Sequence, residues 1–266
     1  MSEERIMLDS KTMEECLKEI AKEYHKRFRG GNIEIIIVGG ASLALNYQFR
    51  NGTTDIDVVI AGREDLKDII NKVGDERGLS NGWFNQDFRK TESYSPKLRQ
   101  YSKYYKSFYQ CMEVRTIKDE YLIAMKLVSM RKYKHDRSDI VGILYENEQN
   151  GNKISFQDID RAVNNLYGSW NKISPDSKIW IKQLTEYASV GELLPELQLQ
   201  EKEAAMALVQ FDSQYPGQLT SDNVEQILES NERKYSIDEL LERTKNSNRI
   251  ETYINHISKD DQEYLR

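Results

Sequence analysis

Two neighbouring stretches decide the fold: residues 35–42, with the sequence IIIVGGAS, and residues 54–60, with the sequence TDIDVVI. The first is an apolar, β-branched run that ends in two glycines, which is typical of a buried strand that turns tightly into a helix. In the second, side chains alternate between the two faces of a strand, so Asp55 and Asp57 share one face, about 6–7 Å apart along the chain. The apolar residues between and after them then point into a core.

This pattern favours a site for a polyphosphate and a divalent metal ion. Gly39 and Gly40 let a ligand approach bare backbone, and the helix that follows directs free amide groups at an anion. Ser42 adds a hydroxyl donor to the same phosphate. Asp55 and Asp57 are hard oxygen ligands of the kind Mg²⁺ prefers, and without a cation they repel each other. The first hypothesis is therefore an enzyme.

A third carboxylate is expected on a later strand. Residues 108–115 form an apolar run that reads as a strand and carries Glu113 between Met112 and Val114. We predict Glu113 as a metal ligand, or as the base that accepts the proton of an attacking hydroxyl.

The composition excludes several other classes of protein. The chain has 266 residues, of which 38% are hydrophobic and 31% charged, and no apolar run approaches the ~20 residues that span a bilayer. Residues 1–5 do not resemble a signal peptide, so the sequence predicts a cytoplasmic protein without a membrane segment. Cys16 and Cys111 lie too far apart in sequence to indicate a disulfide framework or a zinc site, and the three histidines are scattered.

Helical and strand periodicities indicate two regions. Residues 1–150 alternate strands and helices, with helices expected at 8–29, 41–49, 65–73 and 120–133. The sequence turns helical throughout after the polar segment that ends at Gly151, so we predict a helical bundle over residues 151–266. Helix starts are indicated by capping boxes at residues 155–158 and 236–239 and by Pro175 after Ser174.

The charge is strongly segmented. Residues 89–137 contain 13 Lys and Arg against 5 Asp and Glu, although the whole chain carries −6. Within that segment, residues 89–106 alternate cations with aromatic residues, as in proteins that grip single-stranded RNA or the end of a tRNA. The alternative is a basic surface that is solvated or pairs with the acidic C-terminal half.

The motif residues resemble the polymerase-β-like nucleotidyltransferase superfamily, through the glycine pair with Ser42, then Arg50 and the Asp55–Asp57 pair. More narrowly, residues 124–127 (AMKL), followed by Arg131 and residues 136–139 (DRSD), are similar to the AbiEii-type branch, found among toxins of toxin–antitoxin and phage-defence systems. The resemblance spans roughly residues 30–145. It implies an α+β fold with a mixed sheet flanked by helices and transfer of a nucleoside monophosphate from an NTP to a hydroxyl.

The resemblance also assigns roles. It implies that Asp55 and Asp57 hold Mg²⁺ (or Mn²⁺), that the glycine pair, Ser42 and Arg50 bind the triphosphate, and that Lys126 contacts phosphates. One departure is that Asp136 is followed by Arg137, whereas the family pattern often places arginine before the aspartate. A second departure is that no tight motif fixes the position of a third carboxylate, so Glu113 is assigned only from its place on the predicted strand.

These observations predict a transferase that modifies RNA, such as tRNA, or protein, as a component of a toxin–antitoxin system. The helical region is then expected to bind the acceptor or an antitoxin, or to form a homodimer. Two alternatives remain open: a small-molecule nucleotidyltransferase acting on an aminoglycoside-type antibiotic, and a non-catalytic nucleotide-binding protein.

Overall fold

A computed structural model describes residues 6–61, 66–186, 189–220 and 223–231. In these ranges one mixed sheet contains the strands β1 (Ile33–Ile37), β2 (Ile56–Ala61), β3 (Phe84–Asn85), β4 (Ser102–Phe108) and β5 (Met112–Ile117). They lie side by side in the order β3-β2-β1-β5-β4. β1 pairs antiparallel with β2 and parallel with β5, while β2 and β3 are parallel. The predicted α+β class with a mixed sheet is confirmed.

Nine α-helices flank or follow the sheet in the described ranges: α1 (Ser10–Arg27), α2 (Gly39–Asn46), α3 (Lys67–Arg77), α4 (Asp119–Ser129), α5 (Asp136–Gln149), α6 (Phe156–Tyr167), α7 (Pro175–Glu186), α8 (Leu194–Gln214) and α9 (Val224–Asn231). Asp65, where the third predicted helix starts, lies outside the described residues. None of the described helices combines the length and apolar character needed to cross a bilayer.

β1 is the centre of the fold because it is buried on both faces. Ile35 and Ile37 pack in one apolar core with residues of α1 and α3, such as Leu17. Ile36 points the other way, into a second core built largely from α4, α5 and the helices after them. Each fully buried isoleucine contributes about 1.5–3 kcal/mol, so burial on both faces stabilises the strand predicted from its β-branched run.

The region around β4 differs from the prediction. Residues 108–115 were expected to form one strand, but the chain reverses at Tyr109 and Gln110 and forms a β4–β5 hairpin. Both residues have positive φ, 49° and 53°. A turn whose two central residues both have positive φ is usually marked by asparagine or glycine, and neither stands at these positions, so the sequence carries no signal for it.

The first helices after residue 151 do not form a core of their own. Residues of α6 and α7, such as Val163 and Ile181, belong to the same apolar core as Ile36. The chain divides instead into two compact units, residues 1–205 and 206–266. The capping box at Ser155 and Asp158 and the start of α7 at Pro175 are confirmed. The capping box predicted at residues 236–239 lies outside the described residues.

Candidate active site

The turn from β1 into α2 brings bare backbone to the aspartate pair. α2 begins at Gly39, which has φ +62°, a conformation that glycine adopts without strain. A Cβ atom on Gly39 would lie 3.6 Å from Oδ2 of Asp57, and one on Gly40 would lie 3.3 Å from Oγ1 of Thr53. The positive φ of residue 39 favours glycine there. The two glycines face Asp57 and Thr53, so bare backbone lies directly beside the aspartate pair.

Asp55 and Asp57 lie at the start of β2, next to this turn. The backbone N–H of Val38 donates to the carbonyl of Asp57 at 2.9 Å, which holds the two strand ends together. Thr53 Oγ1 donates to Asp55 Oδ1 at 3.2 Å. Ile56 and Val58 are buried, so both carboxylates point to the opposite face, as the alternation predicts.

The aspartates repel each other in a partly desolvated position. Burial and then the charge of Asp55 raise the pKa of Asp57 from 3.8 to about 6, against the opposing effects of the Asn85 side chain and Arg131. Among the described residues no lysine or arginine forms an ion pair with either carboxylate. Because burial and mutual repulsion disfavour the two negative charges, a bound cation would stabilise them, and the site fits one.

Two carboxylates are a small ligand set for a metal. No group of three or more His, Cys, Asp or Glu residues suited to a metal ion occurs within the described ranges. Mg²⁺, however, commonly takes one or two protein carboxylates and completes its shell with substrate phosphates and water. The donor set therefore fits Mg²⁺ or Mn²⁺ bound together with a nucleotide.

The neighbour of Asp57 on the sheet is an asparagine. β3 pairs with β2 so that Asn85 lies beside Asp57. The Asn85 side chain acts to lower the pKa of Asp57, while its Nδ2 donates to the carbonyl of Gly82 at 3.1 Å and its Oδ1 accepts from the backbone N–H of Asp87 at 2.8 Å. Sequence reasoning missed this residue because a two-residue strand has no detectable periodicity.

Glu113 does not join the aspartates, contrary to the prediction. On β5 it lies opposite Glu34, whereas Asp57 is hydrogen-bonded to Val38, four residues further along the chain and just past the end of β1. At about 3.3 Å per residue this separation is ~13 Å. Glu113 instead forms an ion pair with Arg115 at 2.7 Å. A third carboxylate from this strand is not available to the site.

Lys126 is the centre of a buried charge cluster. Its Nζ lies 3.0 Å from Asp136 Oδ1 and 2.6 Å from Asp139 Oδ2. Arg131 donates to Asp136 through Nε at 2.9 Å, and Arg50 Nη1 lies 3.6 Å from Asp139 Oδ1. We define these five residues as the charge cluster. It joins the end of α4 to the first turn of α5.

Lys126 and Asp136 stabilise each other's charged forms. Burial acts to lower the pKa of Lys126, but the charges of Asp139 and Asp136 outweigh it and the pKa is raised. For Asp136 burial acts upward, and Lys126 and Arg131 together bring its pKa down to about 2. An ammonium group has three donors, and the two carboxylates use two, which leaves one N–H of Lys126 for a ligand.

One cleft of about 890 Å³ collects most of the predicted residues. Six of the eight line it: Gly39, Gly40, Arg50, Asp55, Asp57 and Lys126. Glu113 does not, for the reason above. Ser42 does not either: its side chain is fully buried within α2, and its hydroxyl has no hydrogen-bond partner among the described residues. Its predicted role as a phosphate donor is therefore not supported by its position.

The predicted acceptor segment, residues 89–106, is largely turned away from the cleft. Only residues 91–93 of it line the cleft. Its later cations have partners elsewhere: Arg99 pairs with Glu34 and Lys103 with Asp119, both at 2.7 Å. The basic rim comes instead from the α4–α5 loop, which lines the cleft with Arg131, Tyr133, Lys134 and His135.

The glycine turn and the aspartate pair lie at one end of a mixed sheet, in the same cleft as the charge cluster. This is the arrangement of a nucleotidyltransferase-like protein. The chain belongs to the family described as a nucleotidyltransferase of unknown function, DUF6036, whose model matches residues 15–174. No match was found among curated proteins or solved structures. The matched range contains both aspartates and the whole charge cluster.

Proposed function

We propose that this protein transfers a nucleoside monophosphate from an NTP to a hydroxyl group, with Mg²⁺ or Mn²⁺ as cofactor. The observation that carries the proposal is the close approach of the glycine turn to the aspartate pair: a Cβ atom placed on Gly39 would lie 3.6 Å from Asp57 Oδ2. A triphosphate lying on the turn would place its phosphates directly beside the carboxylates. Family membership supports the same reaction class.

The residues divide into two groups by chemistry. Asp55 and Asp57 would hold the metal, which, when bound, supplies charge stabilisation at the phosphoryl oxygens. The backbone of Gly39 and Gly40 and the remaining N–H of Lys126 would bind the phosphates. In the reaction the acceptor oxygen forms a bond to the α-phosphorus, the bond to the bridging oxygen breaks, and pyrophosphate leaves as the hydroxyl proton is released.

The acceptor we propose is RNA, such as tRNA, or protein, in keeping with the resemblance to AbiEii-type toxins. The basic loop at the rim of the cleft supports an anionic acceptor, since Arg131 and Lys134 both line it. We therefore assign to this loop the binding of the acceptor, which was first predicted for residues 89–106. The same charges disfavour a cationic aminoglycoside.

The test is label transfer from each α-³²P NTP in turn, with Mg²⁺ and with total tRNA, cell protein or aminoglycosides as acceptor. We expect label in the tRNA or protein fraction and none in the aminoglycoside fraction. Label only on the aminoglycoside would establish the small-molecule function instead.

A non-catalytic nucleotide-binding protein is the second candidate, and one observation favours it. Asn85 stands beside Asp57 on the neighbouring strand, where a carboxylate would complete a larger metal site. Tight NTP binding without transfer to any acceptor would select this candidate.

Changing Asn85 to Asp is expected to raise Mn²⁺ affinity several-fold, because it places a third carboxylate beside Asp57. The same change should lower the free energy of unfolding of the metal-free protein at pH 7 by about 1–2 kcal/mol through added repulsion. Mn²⁺ titration followed by electron paramagnetic resonance measures the first effect, and urea unfolding the second. The matched control is Asn81→Asp, an exposed turn residue. Equal Mn²⁺ affinity in Asn85→Asp and wild type would place Asn85 outside the site.

Changing Gly39 to Ala is expected to weaken NTP binding at least ten-fold, because the added methyl group would occupy the space between the turn and Asp57. It should also destabilise the protein by about 1–2 kcal/mol, since φ is positive. Gly30→Ala is the control: Gly30 also has positive φ, +79°, but nothing lies within 4 Å of its Cβ position. The two variants should lose similar stability and differ in NTP affinity. Equal NTP affinity would argue against phosphate binding at this turn.

A further inference from the structure

A buried carboxylate outside the matched family range holds the start of α5. Glu201, on α8, is only 3% exposed. Its Oε1 accepts from the backbone N–H of Arg137 at 2.9 Å and of Ser138 at 3.1 Å. Its Oε2 accepts from the hydroxyl of Ser138 and lies 3.6 Å from Nδ1 of His135. Every oxygen of this side chain is thus directed at one helix end.

The first turn of α5 needs such a partner. Helices begin with amide groups that lack an acceptor within the helix, and a side chain at the cap usually supplies one. The cap residue of α5, His135, makes no side-chain hydrogen bond to the helix. Glu201 therefore caps α5 from another helix, and its negative charge also suits the positive end of the helix dipole.

The capped turn is the one that carries the acidic half of the charge cluster. Arg137 and Ser138 lie between Asp136 and Asp139 in sequence, so their amides fix the backbone from which both aspartates project. Those aspartates hold Lys126 at 3.0 and 2.6 Å. α8 also reaches the cleft one turn before Glu201, through Gln198.

The carboxylates of Asp136, Asp139 and Glu201 lie at this end of α5. A small displacement of the first helical turn would change the distances between the two aspartates and their cations. If the turn moved, Asp136 and Asp139 would no longer match the ammonium of Lys126 and the guanidinium of Arg131. Ion pairs in a buried cluster depend steeply on such geometry. In metal sites, residues that orient a ligand in this way commonly affect affinity or activity about 10- to 100-fold when changed.

We propose that Glu201 is a positioning residue, which fixes the first turn of α5 and thereby sets Lys126 for binding the triphosphate. The role in triphosphate binding rests on the proposed function. The positioning of Lys126 does not, and it can be measured without any nucleotide.

The experiment compares wild type with Glu201→Gln, and uses Glu203→Gln as the matched control, since Glu203 is an exposed glutamate of the same helix. The first readout is the rate at which an amine-reactive ester labels Lys126, followed by peptide mass spectrometry, with Lys134 as internal reference. The second is NTP affinity by calorimetry. Loss of a surface charge alone would not single out Lys126. A general loss of stability would expose Lys126 more than the already exposed Lys134, so the labelling rate of Lys126 is compared with the rate that global unfolding, measured by urea titration of each variant, would allow.

In Glu201→Gln we expect Lys126 to be labelled several-fold faster relative to Lys134, and NTP affinity to fall about ten-fold. Glu203→Gln should match wild type in both. Unchanged labelling of Lys126 in Glu201→Gln would overturn the proposal. Faster labelling in a protein whose wild type binds no NTP would leave the positioning role standing and refute the proposed function instead.

Ser138→Ala covers the case in which Glu201→Gln does not fold. It removes only the hydroxyl donor to Oε2. Its Lys126 labelling should change in the same direction by a smaller factor. Where Glu201→Gln does fold, the variant that combines both changes should show less than the summed effect, since the two residues act through one contact. Wild-type labelling in Ser138→Ala would count against the proposal in the same way.

Discussion

Replacing Asp57 by asparagine is expected to reduce label transfer by about 10³-fold, roughly 4 kcal/mol in the activation barrier. Asparagine keeps the shape of the side chain but removes the charge that would hold the metal. The measurement is single-turnover transfer from the preferred NTP with Mg²⁺. Asp75→Asn, an exposed aspartate on α3, is the control. Transfer that survives Asp57→Asn would remove Asp57 from the metal site.

The same variant should be more stable than wild type when no metal is present. The folded protein raises the pKa of Asp57 from 3.8 to about 6, so between these pH values the native state binds more protons than the unfolded chain. The stability of wild type therefore falls as pH rises through about 6, and at pH 7 Asp57→Asn should exceed it by about 1–3 kcal/mol.

This gain has a pH signature that a packing effect would lack. The difference between Asp57→Asn and wild type should close as pH falls below about 4, where Asp57 is protonated in both states of wild type. Saturating Mn²⁺ should also close it at pH 7, because the metal binds only the folded wild type. Asp55→Asn should lower the pKa of Asp57, since the charge of Asp55 is one of its causes. A stability difference that is constant with pH would contradict the raised pKa.

Replacing Lys126 by methionine is expected to cost about 3–5 kcal/mol of unfolding free energy, because it leaves two buried carboxylates without their shared cation. Lys126 is 12% exposed, and Asp136 and Asp139 are 0% and 2% exposed. NTP affinity should fall as well, since the remaining N–H of Lys126 is lost. Urea unfolding and calorimetry measure the two effects.

A second change separates the two roles of Lys126. In Lys126→Met with Asp139→Asn, one of the stranded charges is gone, so part of the stability should return while NTP affinity stays low. Lys153→Met is the surface control: its pair with Glu148 is exposed, and the loss should stay below about 1 kcal/mol. Wild-type NTP affinity in the double variant would show that Lys126 does not contact phosphate.

The predictions that held in this structure rest on local patterns. The buried strand β1, the start of β2 and the helices α1 and α4 follow from periodicities that one segment carries by itself. The shared face of Asp55 and Asp57 follows from strand alternation alone, and so does the burial of Ile56 between them. The cap at Ser155 is likewise local, because its partner Asp158 is three residues away.

The errors have a common cause in strand pairing and ion pairing across the chain. Glu113 has the apolar neighbours expected of a site residue, but the register of β5 against β1 places it beside Glu34. The basic residues after Lys97 look like an anion-binding surface in sequence, yet Arg99 and Lys103 pair with carboxylates of other elements. Neither outcome can be read from the segment concerned.

The sequence by itself determined the α+β class, the glycine turn and the paired aspartates, because each depends on residues within one turn or one strand. Only the tertiary structure decided that Asn85 lies beside Asp57. It also decided that Lys126 forms ion pairs with Asp136 and Asp139, and that Glu201 caps the helix on which these two aspartates lie. The physical reason is that hydrogen bonds and ion pairs between distant segments depend on register and helix packing, which are set by the whole core rather than by local pattern.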